Sequence, residues 1–266
     1  MNKYNRIWFS LLVIVCLLAP HTTTVAKEKK QEKDQFAVPN HVLTISKENT
    51  FQNTPEDLEK VEPSKLTKEL QKDIDIPIDN PNLIKILNET SIKPSPIAIG
   101  YRGMVYIGRW ALHYESEETA VNWEYQEVNQ NELNNLGGER GETISYNQEA
   151  EREVKGALTN QISNVEDVKN MMLQISKEKT KLPLSFQATI GKDTKKGNSY
   201  DVPIKKQGSL TAFSPAVNEK GSVTFGEVYI QLKGSKKSIV IKNITNQGVG
   251  AWIPIQDHLS FSFELK

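Results

Sequence analysis

The residues best suited to chemistry in this sequence are concentrated in one stretch, residues 103–128, which reads GMVYIGRWALHYESEETAVNWEYQEV. It combines two tryptophans with an arginine, a histidine and five glutamates. Carboxylate pairs near aromatic rings are typical of enzymes that cleave glycosidic bonds. Strand alternation, however, puts the arginine and histidine on the face opposite the first tryptophan, and the glutamates in a turn and on an outer face. The stretch therefore predicts a binding surface formed by Arg109, His113, Glu115 and Glu117, in preference to a catalytic pair of acids.

The other residue patterns argue against several further chemistries. There is no G-x-S-x-G motif, and Ser176–Lys179, which fits S-x-x-K, follows an S-x-N motif instead of preceding it as in penicillin-recognising enzymes. The histidines lack metal-ligand spacing. Asp73–Asp79 copies part of a calcium loop, but Ile78 stands where glycine is needed. The sequence therefore predicts no catalytic residue, no metal site and no cofactor.

The charge of the chain is unevenly distributed although its formal net charge is zero. Residues 27–180 carry 19 cations and 27 anions, whereas residues 181–266 carry 12 cations, all of them lysines, and 6 anions. Such an asymmetry favours either an anionic partner or docking of an acidic face on a basic one. Dispersed lysine without arginine argues against specific nucleic-acid reading. The candidate contacts for an anionic polymer are the lysine pairs Lys195, Lys196 and Lys236, Lys237.

The N-terminal residues predict an export signal. Two cations precede an apolar run over 7–19 that is too short to cross a membrane, and Thr24, Val25 and Ala26 follow with the pattern that a signal peptidase reads. We expect a signal peptide over 1–26, cleaved between Ala26 and Lys27, with an uncleaved anchor as the alternative. The only cysteine, Cys16, lies inside the apolar run without a lipobox, so we expect neither a lipoprotein nor disulfides. Membrane contact is expected only through this segment.

Local signals predict several short helices. Thr54-Pro55, Ser64 and Asn80-Pro81 each resemble the start of a helix, with a capping side chain or a proline in the first turn. Apolar residues at spacing four predict another helix over about 148–162. The longest helix is expected over about 164–178, opened by a capping box of Ser163 and Glu166.

Strand patterns dominate the remainder and predict an α+β fold with antiparallel sheets. VLTIS, residues 42–46, alternates as a first strand, residues 103–128 read as a hairpin that turns at ESEET, and residues 182–265 read as a C-terminal meander. We expect residues 27–35 to form a flexible charged spacer. We expect one large α+β domain over 36–266, with two subdomains, about 36–145 and 146–266, as the alternative.

The run PSPIAIGYRGMVYIGRWALHYESEETAVNWEYQ, with the signal segment, the chain length and the strand-rich, lysine-bearing end, resembles the YfkD-like family of exported Gram-positive proteins. The resemblance covers nearly the whole chain after the signal segment. It implies an exported protein that folds as a single unit, and it carries over no catalytic residue. The sequence also echoes itself, because Gly103–Ile107 is similar to Gly226–Ile230.

Three functions remain open on the sequence alone. The first is an exported, non-catalytic envelope protein that binds an anionic wall polymer or another exported protein. The second is a secreted glycan hydrolase that uses carboxylates near the aromatic hairpin. The third is a structural component of a spore or cell-surface layer.

Overall fold

The computed structural model describes residues 36–56, 60–92, 100 and 102–266. Pro39–Lys266 is one compact unit, and it contains every element given below. The predicted signal peptide, its cleavage position between Ala26 and Lys27, and the spacer over 27–35 lie outside the described residues. In the ranges that the structure describes, no helix is both long and apolar enough to cross a membrane.

One long central strand organises the main antiparallel sheet, and the α+β prediction is confirmed. Strand β8, Gln207–Lys233, pairs along its whole length with β2, Arg102–Asn134. On its other side, β9, Lys236–Pro254, pairs with its second half. Strand β10, His258–Leu265, pairs with its first half. Because β8 has neighbours on both sides, its side chains fix what each face of the sheet presents.

Shorter strands extend this sheet or form small sheets beside it. Their bounds are β1 Val42–Thr44, β3 Glu142–Asn147, β4 Arg152–Lys155, β5 Ala157–Leu158, β6 Gln187–Ile190 and β7 Lys195–Val202. β1 lies next to β10, β5 lies next to β9, β3 pairs with β7, and β4 pairs with β6. Part of the predicted C-terminal meander therefore leaves the main sheet.

The predicted hairpin over 103–128 is wrong, because these residues belong to the single strand β2. The polar run 115–119, whose composition suggests a turn, stays extended because polar side chains of β8 meet it. Ser116 and Thr119 donate hydrogen bonds to Glu219, and Lys220 pairs with Glu118. Five register shifts divide the pairing of β2 with β8. Such bulges bend a strand without reversing it.

The helix predicted over 148–162 is also wrong, because β4 and β5 occupy this segment. Apolar residues four apart share a helix face, but four is also an even number, so they share a strand face as well. Val154 is fully buried in the core. A Cβ at Gly156 would lie 2.5 Å from the Trp252 carbonyl oxygen, so the bare glycine lets two strands approach closely.

Two of the predicted short helices are confirmed. Helix α1, Lys65–Gln71, begins where the Ser64 hydroxyl accepts from the Thr67 amide. Helix α2, Pro81–Glu89, begins where the Asn80 side chain accepts from two amides. Residues 54–56 are not helical, and Asp57, the next residue of that predicted start, lies outside the described part of the chain.

The longest helix, α3, spans Val165–Thr180 and confirms the prediction over 164–178. The predicted capping box is wrong. Asn164, with φ of 53°, takes the cap position, and no side-chain hydrogen bond closes this end.

Helices α1 and α2 cover one face of the sheet near the β8–β9 turn. Leu83 and Leu87 of α2 belong to the same buried cluster as Val228 of β8 and Ile239 of β9. Burying such a cluster supplies several kcal/mol, at about 1.5–3 kcal/mol for each large aliphatic side chain. At this end of the sheet, the face that packs against the helices is therefore closed to solvent, and the opposite face is left open.

Candidate functional site

Arg109 is exposed on the face of the sheet away from α1 and α2, near the β8–β9 turn. Its guanidinium donates to the Asn243 carbonyl oxygen at 3.2 Å and to the Thr245 Oγ1 at 2.7 Å, both on β9. Arg109 also stands directly opposite Glu227 in the strand register. It is therefore part of a network that joins β2 to β9 across β8.

The other residues predicted from the same stretch lie apart from Arg109. His113 contacts the carboxylate of Asp79, just before α2. Glu115 and Glu117 are exposed farther along β2, beyond the bulge at residues 111–113. The structure thus does not bring the four predicted binding residues of this stretch into one site.

Trp110 and Trp123 belong to different apolar clusters, so they form no common aromatic surface. A cavity of about 360 Å³ does contain three carboxylates, but they are Glu62, Asp79 and Glu178, with Tyr114 on the wall. Neither Glu115 nor Glu117 lines this cavity.

The two predicted lysine pairs are on different sheets. Lys195 and Lys196 lie on β7, which pairs with β3, and Lys196 is held at 2.8 Å by Glu48. Lys236 and Lys237 begin β9, directly after the β8–β9 turn. The first pair therefore includes an ion-paired lysine, whereas the second pair follows a turn and forms no ion pair among the described residues.

The turn end of the sheet carries a row of three cations. Arg102 of β2, Lys233 of β8 and Lys236 of β9 are direct register partners, so their side chains share one face. All three are exposed, and among the described residues none has a carboxylate within ion-pair distance. Like charges directly opposite each other on neighbouring strands are destabilising.

This row begins a larger surface that we call the open face. It contains four successive rows of cross-strand partners, in which no residue is buried. Five of its side chains are cations and one is an acid. The rows are Arg102, Lys233 and Lys236; Met104, Gln231 and Ser238; Tyr106, Tyr229 and Val240; and Arg109, Glu227 and Lys242.

Lys237 points to the opposite, closed face, since its register partner is the buried Leu232. Its Nζ is buried and has no hydrogen-bond partner within the described ranges. Burial lowers the pKa of the Lys237 ammonium. Of the predicted pair, Lys236 alone lies on the open face.

The single acid of the open face, Glu227, is held by hydrogen bonds. The Tyr229 hydroxyl donates to Glu227 at 2.8 Å, and Tyr229 with Asn243 holds the pKa of the Glu227 carboxyl below its ordinary value. The cations of Arg109 and Lys242 add to this effect. The same hydrogen bond raises the pKa of Tyr229. The lowered pKa favours the ionised form of this acid, and the five cations of the open face outnumber it.

A second charged arrangement lies in the middle of β8, where Glu219 is fully buried. Tyr114 donates to its Oε1 at 2.9 Å, Ser116 also donates to Oε1, and Thr119 donates to Oε2 at 2.7 Å. Lys179 of α3 donates to the Ser116 hydroxyl at 2.7 Å. Burial, and then the nearby Glu219 charge, raise the pKa of Tyr114.

Sequence reasoning missed most of the open face and all of this buried network. The one available signal is the echo between Gly103–Ile107 and Gly226–Ile230. Its two tyrosines, Tyr106 and Tyr229, are direct antiparallel partners. Across the described residues, no group of three or more histidine, cysteine, aspartate or glutamate side chains could hold a metal ion.

Comparison with known proteins identifies the family. The sequence profile of the YfkD-like protein family matches residues 39–266. A Bacillus subtilis (strain 168) protein named "Uncharacterized protein YfkD" is 52% identical over 233 residues, which cover 88% of this chain and 88% of that protein. No solved structure matches the chain. The chain belongs to the YfkD-like family, as the resemblance of residues 94–126 predicts.

Proposed function

We propose that this YfkD-like protein is an exported, non-catalytic protein that binds an anionic polymer of the cell envelope through its open face. The observation that carries the proposal is the row of Arg102, Lys233 and Lys236 on three adjacent strands. Folding brings these three cations together and supplies no carboxylate among the described residues to neutralise them.

The energetic argument concerns the difference between the free and the bound protein. Two unit charges about 5 Å apart repel by roughly 1 kcal/mol in bulk water, and by more beside the less polarisable protein surface. A polyanion laid across the strand ends converts this repulsion into attraction for each cation. Rows of cross-strand neighbours also match a polymer better than a single small anion, because the charges are spread over three strands.

The export part of the proposal is supported by the N-terminal sequence, with its cations, apolar run and small residues before Lys27. Gram-positive walls contain phosphate-rich polymers, and the 52% identical relative is from Bacillus subtilis. Such polymers offer the repeated negative charge that the open face would bind. Proposed partners are therefore an anionic wall polymer or an exported protein that displays similar charge, and no nucleic acid.

The test compares two double variants that remove the same charge. Lys233→Gln/Lys236→Gln removes two cations of the row, and Lys195→Gln/Lys206→Gln removes two exposed lysines elsewhere. Retention of the purified protein on purified cell wall is measured at two salt concentrations. We expect retention of the wild type and the control at low salt, weaker retention at high salt, and loss for the row variant.

Two results would contradict the proposal. Wall retention that ignores salt would exclude the electrostatic mechanism. Equal loss from both double variants would show that net charge matters and the row does not.

A further inference from the structure

Beyond its cations, the open face presents aromatic surface. Tyr106 is 55% exposed, and Met104, two residues before it on the same face, is 42% exposed. Tyr106 lies against its register partner Tyr229, with ring centroids 5.1 Å apart and ring planes tilted by 43°. An exposed aromatic side chain that is supported by a second ring is a common feature of ligand-binding surfaces.

The two rings have different surroundings. The hydroxyl of Tyr229 donates to Glu227, and the Lys242 Nζ lies over the Tyr229 ring, 5.2 Å from its centroid. Tyr229 is therefore fixed from two sides and supports its neighbour. The Tyr106 hydroxyl has no hydrogen bond to any described residue. Because the side chain is also more than half exposed, its ring can contact a ligand.

Groups that can bind hydroxyls lie on both sides of Tyr106. Gln231 is in the row nearer the turn, and Glu227 with Arg109 is in the row farther from it. Alternate residues on a strand are about 7 Å apart. A sugar ring whose C–H face is stacked on Tyr106 would therefore place its hydroxyls above these polar rows. The cation row begins one row farther on, at Arg102.

We propose that Tyr106 is a stacking site for a sugar ring, so that the ligand of the open face is a saccharide-bearing anionic polymer. This inference rests on the proposed function. The chemistry follows from the order of the rows: an apolar ring face for the sugar, polar groups for its hydroxyls, and cations for its anionic groups.

The geometry favours a polymer over a lipid membrane. The turn at the end of the sheet, Lys233–Lys236, contains Gly234 and Ser235 and no apolar side chain that could enter a bilayer. The aromatic surface lies on the face of the sheet, farther from the turn than the cation row. A flat face suits an extended chain that lies across the strands.

The experiment uses two soluble polyanions, heparin, which contains sugar rings, and polyphosphate, which has none. Binding is measured by titration for the wild type, Tyr106→Ala and Tyr106→Phe. We expect Tyr106→Ala to weaken heparin binding roughly five-fold, with polyphosphate binding unchanged. Tyr106→Phe should bind heparin like the wild type, because the ring is retained.

Two controls separate this inference from the proposed function. Val105→Ala shortens a neighbouring exposed side chain on the other face and should change neither affinity. Lys233→Gln/Lys236→Gln should weaken the binding of both polymers. Suppose that this double variant weakens the binding of both polymers, and that Tyr106→Ala weakens the binding of both equally or of neither. The stacking site is then overturned, and the polymer-binding function stands.

Failure of the proposed function has a different signature. Absence of binding to both polymers and to cell wall would overturn both proposals. Tyr106-dependent binding to vesicles of phosphatidylglycerol, with no binding to heparin, would overturn the sugar site in favour of a membrane contact. Thermal unfolding of each variant checks that the fold is retained.

Discussion

The middle and the end of strand β8 differ in the surroundings of their charged side chains. In the middle, the carboxylate of Glu219 is fully buried, and three hydroxyl groups donate to it. At the end, the ammonium of Lys233 is exposed between two other cations. The carboxylate in the middle has hydrogen-bond donors from within the chain, whereas the cations at the end have no carboxylate partner among the described residues. The comparison is consistent with a structural role for Glu219 and with the proposed role of the end of β8 in binding a ligand.

The middle is also closed by its surroundings. Lys179 from α3 caps the Ser116 hydroxyl, and Glu118 pairs with Lys220 at 2.9 Å. These contacts join α3, β2 and β8 at the point where sequence composition suggests a turn. A buried charge is tolerated only when hydrogen bonds replace its lost water, and here they do.

The largest expected effect is that of Glu219→Leu, which tests whether the middle is structural. Leucine would leave the hydroxyls of Tyr114, Ser116 and Thr119 without their carboxylate acceptor. We expect a loss of about 3 kcal/mol in the free energy of unfolding. Glu219→Gln retains an acceptor and should lose less. Urea unfolding measures both, and a neutral Glu219→Leu would refute a structural role.

Next in size is Gly221→Ala, two residues farther along β8. Its Cβ would lie 2.1 Å from the Glu115 carbonyl oxygen and 2.7 Å from the Tyr114 hydroxyl. Because a backbone atom cannot move aside easily, we expect a loss of about 2 kcal/mol. Gly248→Ala on β9 is the matched control, since its nearest atom is 3.9 Å away. Equal losses from the two substitutions would contradict this close packing.

A third prediction concerns alkaline pH. Burial raises the pKa of Tyr114 and of Tyr146 above the ordinary value of 10.0. The unfolded chain therefore loses these protons above about pH 10 while the folded chain keeps them, and stability falls by about 1.4 kcal/mol per pH unit for each tyrosine. Tyr114→Phe should reduce the slope, and Tyr114→Phe/Tyr146→Phe should reduce it further. Urea unfolding at pH 9–11 checks this, and an unchanged slope would contradict it.

The smallest effect has the opposite sign. Lys233→Gln/Lys236→Gln relieves repulsion between strands, so we expect the free energy of unfolding to rise by a few tenths of a kcal/mol at low salt. Lys220→Gln breaks an ion pair with Glu118 and should lower it by a similar amount. A stability loss from the row variant would mean that the end of β8 is also internally satisfied.

The sequence predicted those parts of the fold that depend on neighbours along the chain. The Ser64 and Asn80 caps and the extent of α3 could be predicted, because each depends on residues that are only a few positions apart along the chain. The helix over 148–162 failed because a spacing of four fits a strand as well as a helix. The hairpin over 103–128 failed because Glu219 and Lys220, which keep residues 115–119 extended, lie about a hundred residues away.

Only some residues of the candidate site could be predicted from the sequence. Arg109 and Lys236 were singled out from sequence and lie on the open face, but Lys195 and Lys196 lie on another sheet and Lys237 faces the core side. Tyr106, Arg102 and Lys233 were missed, because nothing in their local composition distinguishes them from an ordinary exposed strand. They become a site only when three strands are set in register.

By itself the sequence determined the family, the class of the fold and the caps of two helices, because composition, periodicity and capping act over short distances. Only the tertiary structure decided that Arg102, Lys233 and Lys236 stand abreast, and that Glu219 is enclosed by hydroxyls. Strand register couples residues more than a hundred positions apart. A shift of one residue would turn every side chain to the other face of the sheet, so the open face exists only in the folded molecule.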